Sequence, residues 1–150
     1  MKLSAEVKNG ILIFLGIGLF FLFMEMAGLA DNHFLRILNS FIVMYGINRS
    51  ISYNYKRGNT GYLDNFVSGI VTGVVGIVIS IVALVTFIYI NGGESYVNKL
   101  SNTFWFTGST NIIKYIAVLF FEGIASTMLG SFVLMQFWKV VSPTPTLQTK

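Results

Sequence analysis

The first residue with chemical potential is an acid inside an apolar run, Glu122 of "AVLFFEGIASTMLG", residues 117–130. A carboxylate among Leu, Phe, Ile and Met is costly in lipid or in a dry core, so it needs a partner or a task. Three states meet that need: an ionised group paired with a base, a protonated acid hydrogen-bonded to Ser or Asn, or a proton- or ion-carrying site. The hydrogen-bonded acid requires the fewest additional groups. A second acid, Glu25, precedes a turn centred near Asp31. An antiparallel hairpin there brings Glu25 within reach of Arg36, a pairing that neutralises both charges near an interface. Asn39 and Ser40 stand where they could extend this polar layer towards Glu122.

The remaining inventory excludes most enzyme chemistry. The chain has no cysteine and a single histidine, His33, in the turn beside Asp31 and Asn32. A thiol nucleophile or thiolate metal site is therefore excluded, and His33 has no second His with which to hold a metal. No GxSxG, HExxH, P-loop or dinucleotide fingerprint is present. The expectation is a protein that is not an enzyme, with no catalytic residue, no metal and no cofactor.

The elements that would position these residues are membrane elements. Of 150 residues 54% are hydrophobic and only 11% charged, against about 25% charged in an ordinary soluble domain. Four apolar segments stand out, about 10–30, 35–51, 66–90 and 112–138. Crossing a hydrocarbon core of about 30 Å takes around 20 helical residues, which the first, third and fourth supply comfortably. In the second, only Ile37–Asn48 lies between Arg36 and Arg49, about 18 Å of helix, so it spans only if both arginines snorkel.

Charge favours four crossings. With the N-terminus in the cytoplasm, that side carries Lys2, Lys8, Arg49, Lys56, Arg57, Lys139 and Lys150, and the opposite side Arg36, Lys99 and Lys114. This is a positive-inside distribution, which reverses if the second segment does not cross. The basic residues sit singly between apolar segments, a topology signal and not a nucleic-acid patch. A competing reading of the N-terminus is a signal peptide ending at Ala30, with Gly28 and Ala30 small at the required places.

The loops add detail. In the first cytoplasmic loop Tyr53, Tyr55 and Tyr62 mix with Lys56 and Arg57, a composition suited to headgroup level. In the outer loop Val97, Leu100 and Phe104, followed by Trp105 and Phe106, predict a short helix lying in the interface, or an irregular loop with aromatic anchors. The ending "SPTPTLQTK" has no apolar face and two prolines, and reads as an extended tail over 142–150.

Small residues recur along the third segment at Gly69, Gly73, Gly76, Ser80 and Ala83, steps of 4, 3, 4 and 3. Such a groove lets a neighbouring helix approach closely where lipid supplies no hydrophobic drive. It serves packing within the bundle or the face of a partner subunit. On the fourth segment Gly123, Ser126 and Gly130 put a small and polar face beside Glu122.

Residues 55–91, "YKRGNTGYLDNFVSGIVTGVVGIVISIVALVTFIYIN", resemble the start of the third helix in the DUF4199 family of small four-helix bacterial membrane proteins. The resemblance rests on a basic, Gly-containing loop leading through an aromatic residue into the span, here Lys56, Arg57, Gly61, Phe66 and Gly69, with Lys139 after the fourth span. It implies the same four-helix topology and no activity.

The sequence thus predicts an all-α integral membrane domain over 1–150, a bundle of four transmembrane helices in a bacterial cytoplasmic (inner) membrane with both termini cytoplasmic. The expected role is a non-catalytic accessory or structural subunit of a larger complex. Its expected partners are membrane lipids and partner subunits or further copies of itself. The alternatives are a small oligomeric transporter or proton/ion pathway using Glu122, and a membrane assembly factor.

Overall fold

A computed structural model describes residues 4–30, 32, 35, 37–101 and 111–141, and every described element is helical. The helices are α1 (Ala5–Met26), α2 (Leu38–Lys56), α3 (Tyr62–Ile90), α4 (Glu94–Ser101) and α5 (Ile112–Val141). His33, Arg36, the aromatic run 104–106 and the tail 142–150 lie outside the described residues.

Local sequence explains the boundaries. Ser4 caps α1 by accepting a hydrogen bond from the Val7 amide at 3.4 Å, and Glu6 in the first turn suits the positive end of the helix dipole. Between α2 and α3, Asn65 donates from Nδ2 to the carbonyls of Asn59 at 2.9 Å and Gly61 at 2.8 Å, tying the loop to the first turn of α3. Consecutive glycines with positive φ, Gly92 at 112° and Gly93 at 61°, reverse the chain from α3 into α4, a conformation that side-chain-bearing residues resist.

Three helices are long and apolar enough to cross a membrane: α1, α3 and residues Ile112–Lys139 of α5. Their outward faces carry Leu19, Phe23, Val82, Ile90, Phe121 and Leu129, each more than 60% exposed. Apolar surface on this scale is stable only against lipid or another protein. α2 is longer than the apolar segment 35–51 suggests. It continues to Lys56 because Ser50 and Ile51 are fully buried and Asn54 bonds to α3, so its inward face outlasts its hydrophobic one.

The contacts define the arrangement. α1 packs on α2 and α3, α5 packs on α2 and α3, and α2 and α3 also touch each other. α1 and α5 are the separated pair. Gly69 faces Ser131, Gly73 faces Thr127 and Gly123 faces Ile77. Each step of four along α3 is met by a step back along α5, so the two run antiparallel. Asn9 meets Ser50 and Gly46 meets Ile13, which sets α1 antiparallel to α2. α4 lies across the other end, where Tyr96, Val97 and Leu100 are buried with Ile88, Ile112 and Tyr115. The short helix expected in the outer loop is therefore present, but Val97 and Leu100 pack into the bundle instead of facing lipid.

Candidate functional site

Two polar regions occupy the bundle, separated by an apolar layer. The first lies at the end that carries the α2–α3 loop. Asn9 Nδ2 donates to Ser50 Oγ at 2.8 Å, and Thr72 Oγ1 lies 2.8 Å from both Ser50 Oγ and the Ser68 carbonyl. Ser68 Oγ donates to Glu6 Oε1 at 2.8 Å and accepts from Asn54 Nδ2 at 3.0 Å. Three helices are thereby stitched together by side chains of moderate helix propensity, each kept in place by its buried partner. Beside them Trp138 Nε1 donates to Asn48 Oδ1 at 2.9 Å, fixing α5 to α2.

The glycines make this end close-packed. A Cβ at Gly69 would lie 2.8 Å from Ser131 Oγ, and one at Gly76 would lie 2.7 Å from Ile13 Cγ2. Gly130 meets Met44 in the same way, at 3.1 Å from its Cγ. The small-residue groove from Gly69 to Gly76 is thus filled by α5, α2 and α1 of the same chain. Ile13, Val43, Ile47 and Ile77, each no more than 5% exposed, form the layer above the polar network.

Beyond that layer the separation of α1 from α5 leaves a half-enclosed cavity of about 320 Å³. Its floor includes Val43 and Ile77, and its walls come from all four long helices. Glu122 lines it and is exposed there, together with Asn39, Ser40, Ser80 and Ser126. Ser40 and Ser126 are 3.4 Å apart, oxygen to oxygen, and Ser80 donates to the Gly76 carbonyl at 2.8 Å. Phe14, Phe21, Phe87 and Tyr115 supply aromatic surface, with Phe21 and Phe87 edge to face at 5.5 Å. Ala83 and Gly123 complete the small-residue part of the wall.

The residues singled out by sequence thus divide. Gly69, Gly73, Gly76 and Gly130 lie in helix contacts, while Ser80, Ala83, Gly123, Ser126, Asn39 and Glu122 meet at the cavity. Glu122 is not sealed between helices. The second acid, Glu25, expected to pair with Arg36, stands near Tyr96, whose phenol pKa is pushed well above its ordinary value by burial and then by the Glu25 carboxylate.

The network of Asn9, Ser50, Asn54, Ser68 and Thr72, and the buried hydroxyls of Thr127 and Ser131 against Gly73 and Gly69, are not evident from single residues. Their signal is the spacing: Ser50 and Asn54, Ser68 and Thr72, and Thr127 and Ser131 are polar pairs four apart within apolar stretches. No three His, Cys, Asp or Glu side chains converge on a metal geometry among the described residues. Comparison with protein-family models, curated proteins and solved structures finds no match.

Proposed function

We propose that this chain is a non-catalytic four-span protein of a bacterial cytoplasmic membrane that holds a small amphipathic ligand in the Glu122 cavity. The half-enclosed space of about 320 Å³, apolar but for a few convergent polar groups, carries this reading. Ligand sites have this composition, and their volumes begin at about 300 Å³. The layer of Ile13, Val43, Ile47 and Ile77 argues against an open ion pathway, because it parts the cavity from the polar network below.

Four crossings with cytoplasmic termini are supported by the position of charge. Lys8, Arg49, Lys56, Arg57 and Lys139 gather at the end with the α2–α3 loop, while Lys99 and Lys114 are at the other. α2 runs beside α1 and α5, and Arg49 falls at the level of Asn9 and Gly10, where a long side chain reaches an interface. Kinship with the DUF4199 family is proposed on the loop and helix start named above, and agrees with this topology.

A second reading, an accessory subunit of a larger complex, is favoured by Ser80 and Ala83. They continue the groove of α3 into the cavity wall, where a partner's helix could enter instead of a ligand. Gly18 provides the test. It lines the cavity, and a Cβ there meets nothing closer than Phe14 Cε2 at 4.0 Å, so Gly18→Leu enters the space with room at its Cβ. Native mass spectrometry of the purified protein is expected to show a small-molecule adduct on the wild type that Gly18→Leu lacks. A protein adduct lost in the same variant would favour the subunit reading, and no adduct on either would overturn the ligand reading.

A further inference from the structure

We infer that the cavity selects an amphipathic cation, a protonated amine bearing an apolar chain, over neutral or anionic molecules of the same shape. This rests on the ligand-holding reading above and adds its chemical class. Among the described lining residues Glu122 is the one acid, and none is Lys, Arg or His. An accessible carboxylate framed by apolar walls projects its field into the cavity, since low-dielectric surroundings screen it less than water does.

The rest of the lining has the same polarity. Ser80 commits its hydroxyl proton to the Gly76 carbonyl, which leaves its oxygen as an acceptor. Phe14, Phe21, Phe87 and Tyr115 add ring surfaces, whose negative faces attract ammonium groups within about 6 Å. An acceptor, a carboxylate and several rings suit a donor-bearing cation, whereas a ligand carboxylate would meet repulsion from Glu122. Glu122 is not an idle group in the structure. An arriving ammonium joins or displaces the contact it makes.

The apolar part of the ligand has a place as well. Ile17, Leu22, Ile81, Leu84 and Leu119 line the same space, so a short alkyl chain is covered while its head lies at Glu122.

The test uses full-length protein in lipid nanodiscs, with empty discs subtracted, and three probes of one chain length: n-octylamine, n-octanol and octanoate at pH 7. Octylamine is expected to bind at least tenfold more tightly than octanol, and octanoate more weakly than either. Glu122→Gln is expected to bring octylamine to the octanol level while leaving octanol unchanged. Equal binding of octylamine and octanol, each lost in Gly18→Leu, would overturn the cation inference and leave the ligand-holding reading standing. Binding of no probe, or binding indifferent to Gly18→Leu, would overturn both. Should Glu122→Gln fail to fold, the order of the three probes on the wild-type chain decides alone.

Discussion

Thr127 of α5 stands against Gly73 of α3 so closely that a Cβ on the glycine would lie 2.5 Å from Thr127 Oγ1. The hydroxyl is buried and has no hydrogen-bond partner among the described residues. Thr72, one residue before Gly73, is equally buried but satisfied by Ser50 and the Ser68 carbonyl. Neighbouring threonines thus do opposite things for stability. A buried hydroxyl without a partner costs about 1–3 kcal/mol, whereas removing a bonded one strands its partners at similar cost. Thr127→Val is expected to leave the thermal midpoint in mild detergent unchanged or raised, and Thr72→Val to lower it. The opposite order would contradict the network described for α1, α2 and α3.

The same pair offers a coupling measurement. Gly73→Ala puts a methyl group into space held by Thr127, and overpacking of this kind costs about 1–3 kcal/mol. Thr127→Ala removes the two nearest obstructing atoms, Cγ2 and Oγ1, and leaves its Cβ at 3.0 Å. The double variant is expected to recover most of the loss from Gly73→Ala, because residues in contact are not additive. Strict additivity in chemical denaturation would mean that the two helices do not meet at this level.

Topology can be read with single cysteines, since the chain has none of its own. Thr60 in the α2–α3 loop and Ser95 on α4 are both exposed. In intact cells an impermeant maleimide is expected to label Ser95→Cys readily and Thr60→Cys only after the membrane is opened. Labelling of both from outside would remove the crossing proposed for α2.

The amount of this fold legible in the sequence varied with the kind of signal. Length and apolarity sufficed for α1, α3 and α5, because a membrane span is a property of composition summed over some 20 residues. The ends of α2 were less visible. Its interior mixes Asn48, Arg49, Ser50 and Asn54 with apolar residues, and only packing shows that Ser50 is buried while Arg49 is exposed. Glu122 was conspicuous as a lone acid, and Ser126 and Gly123 followed from helical spacing. The cavity beside them was not legible, because it arises from the separation of α1 and α5, a relation between helices that neither helix encodes alone. The clasp expected between Glu25 and Arg36 involves a residue outside the described set, whereas the proximity of Glu25 to Tyr96 depends on where α4 folds back.

That proximity has a pH signature. Burial first, and the Glu25 carboxylate second, raise the Tyr96 pKa in the folded protein above the ordinary tyrosine value. The folded state therefore holds the phenol proton more tightly than the unfolded chain does. The resulting stability is complete below pH ~10 and declines as pH rises beyond it. Tyr96→Phe is expected to flatten that decline in thermal midpoints measured between pH 8 and pH 11.5. An unchanged alkaline slope would place the phenol in ordinary solvent.

The central claim is that the space between α1 and α5 accepts an amphipathic ligand beside Glu122. It is tested most directly by Ser126→Cys, a lone thiol in the cavity wall, by timing its reaction with a small maleimide in nanodiscs with and without n-octylamine. Ser126 gives up only a 3.4 Å contact with Ser40, so the substitution is mild. The account predicts steady modification that slows at least tenfold as octylamine saturates, with no protection when Gly18→Leu is also present. A reaction rate indifferent to octylamine would contradict it.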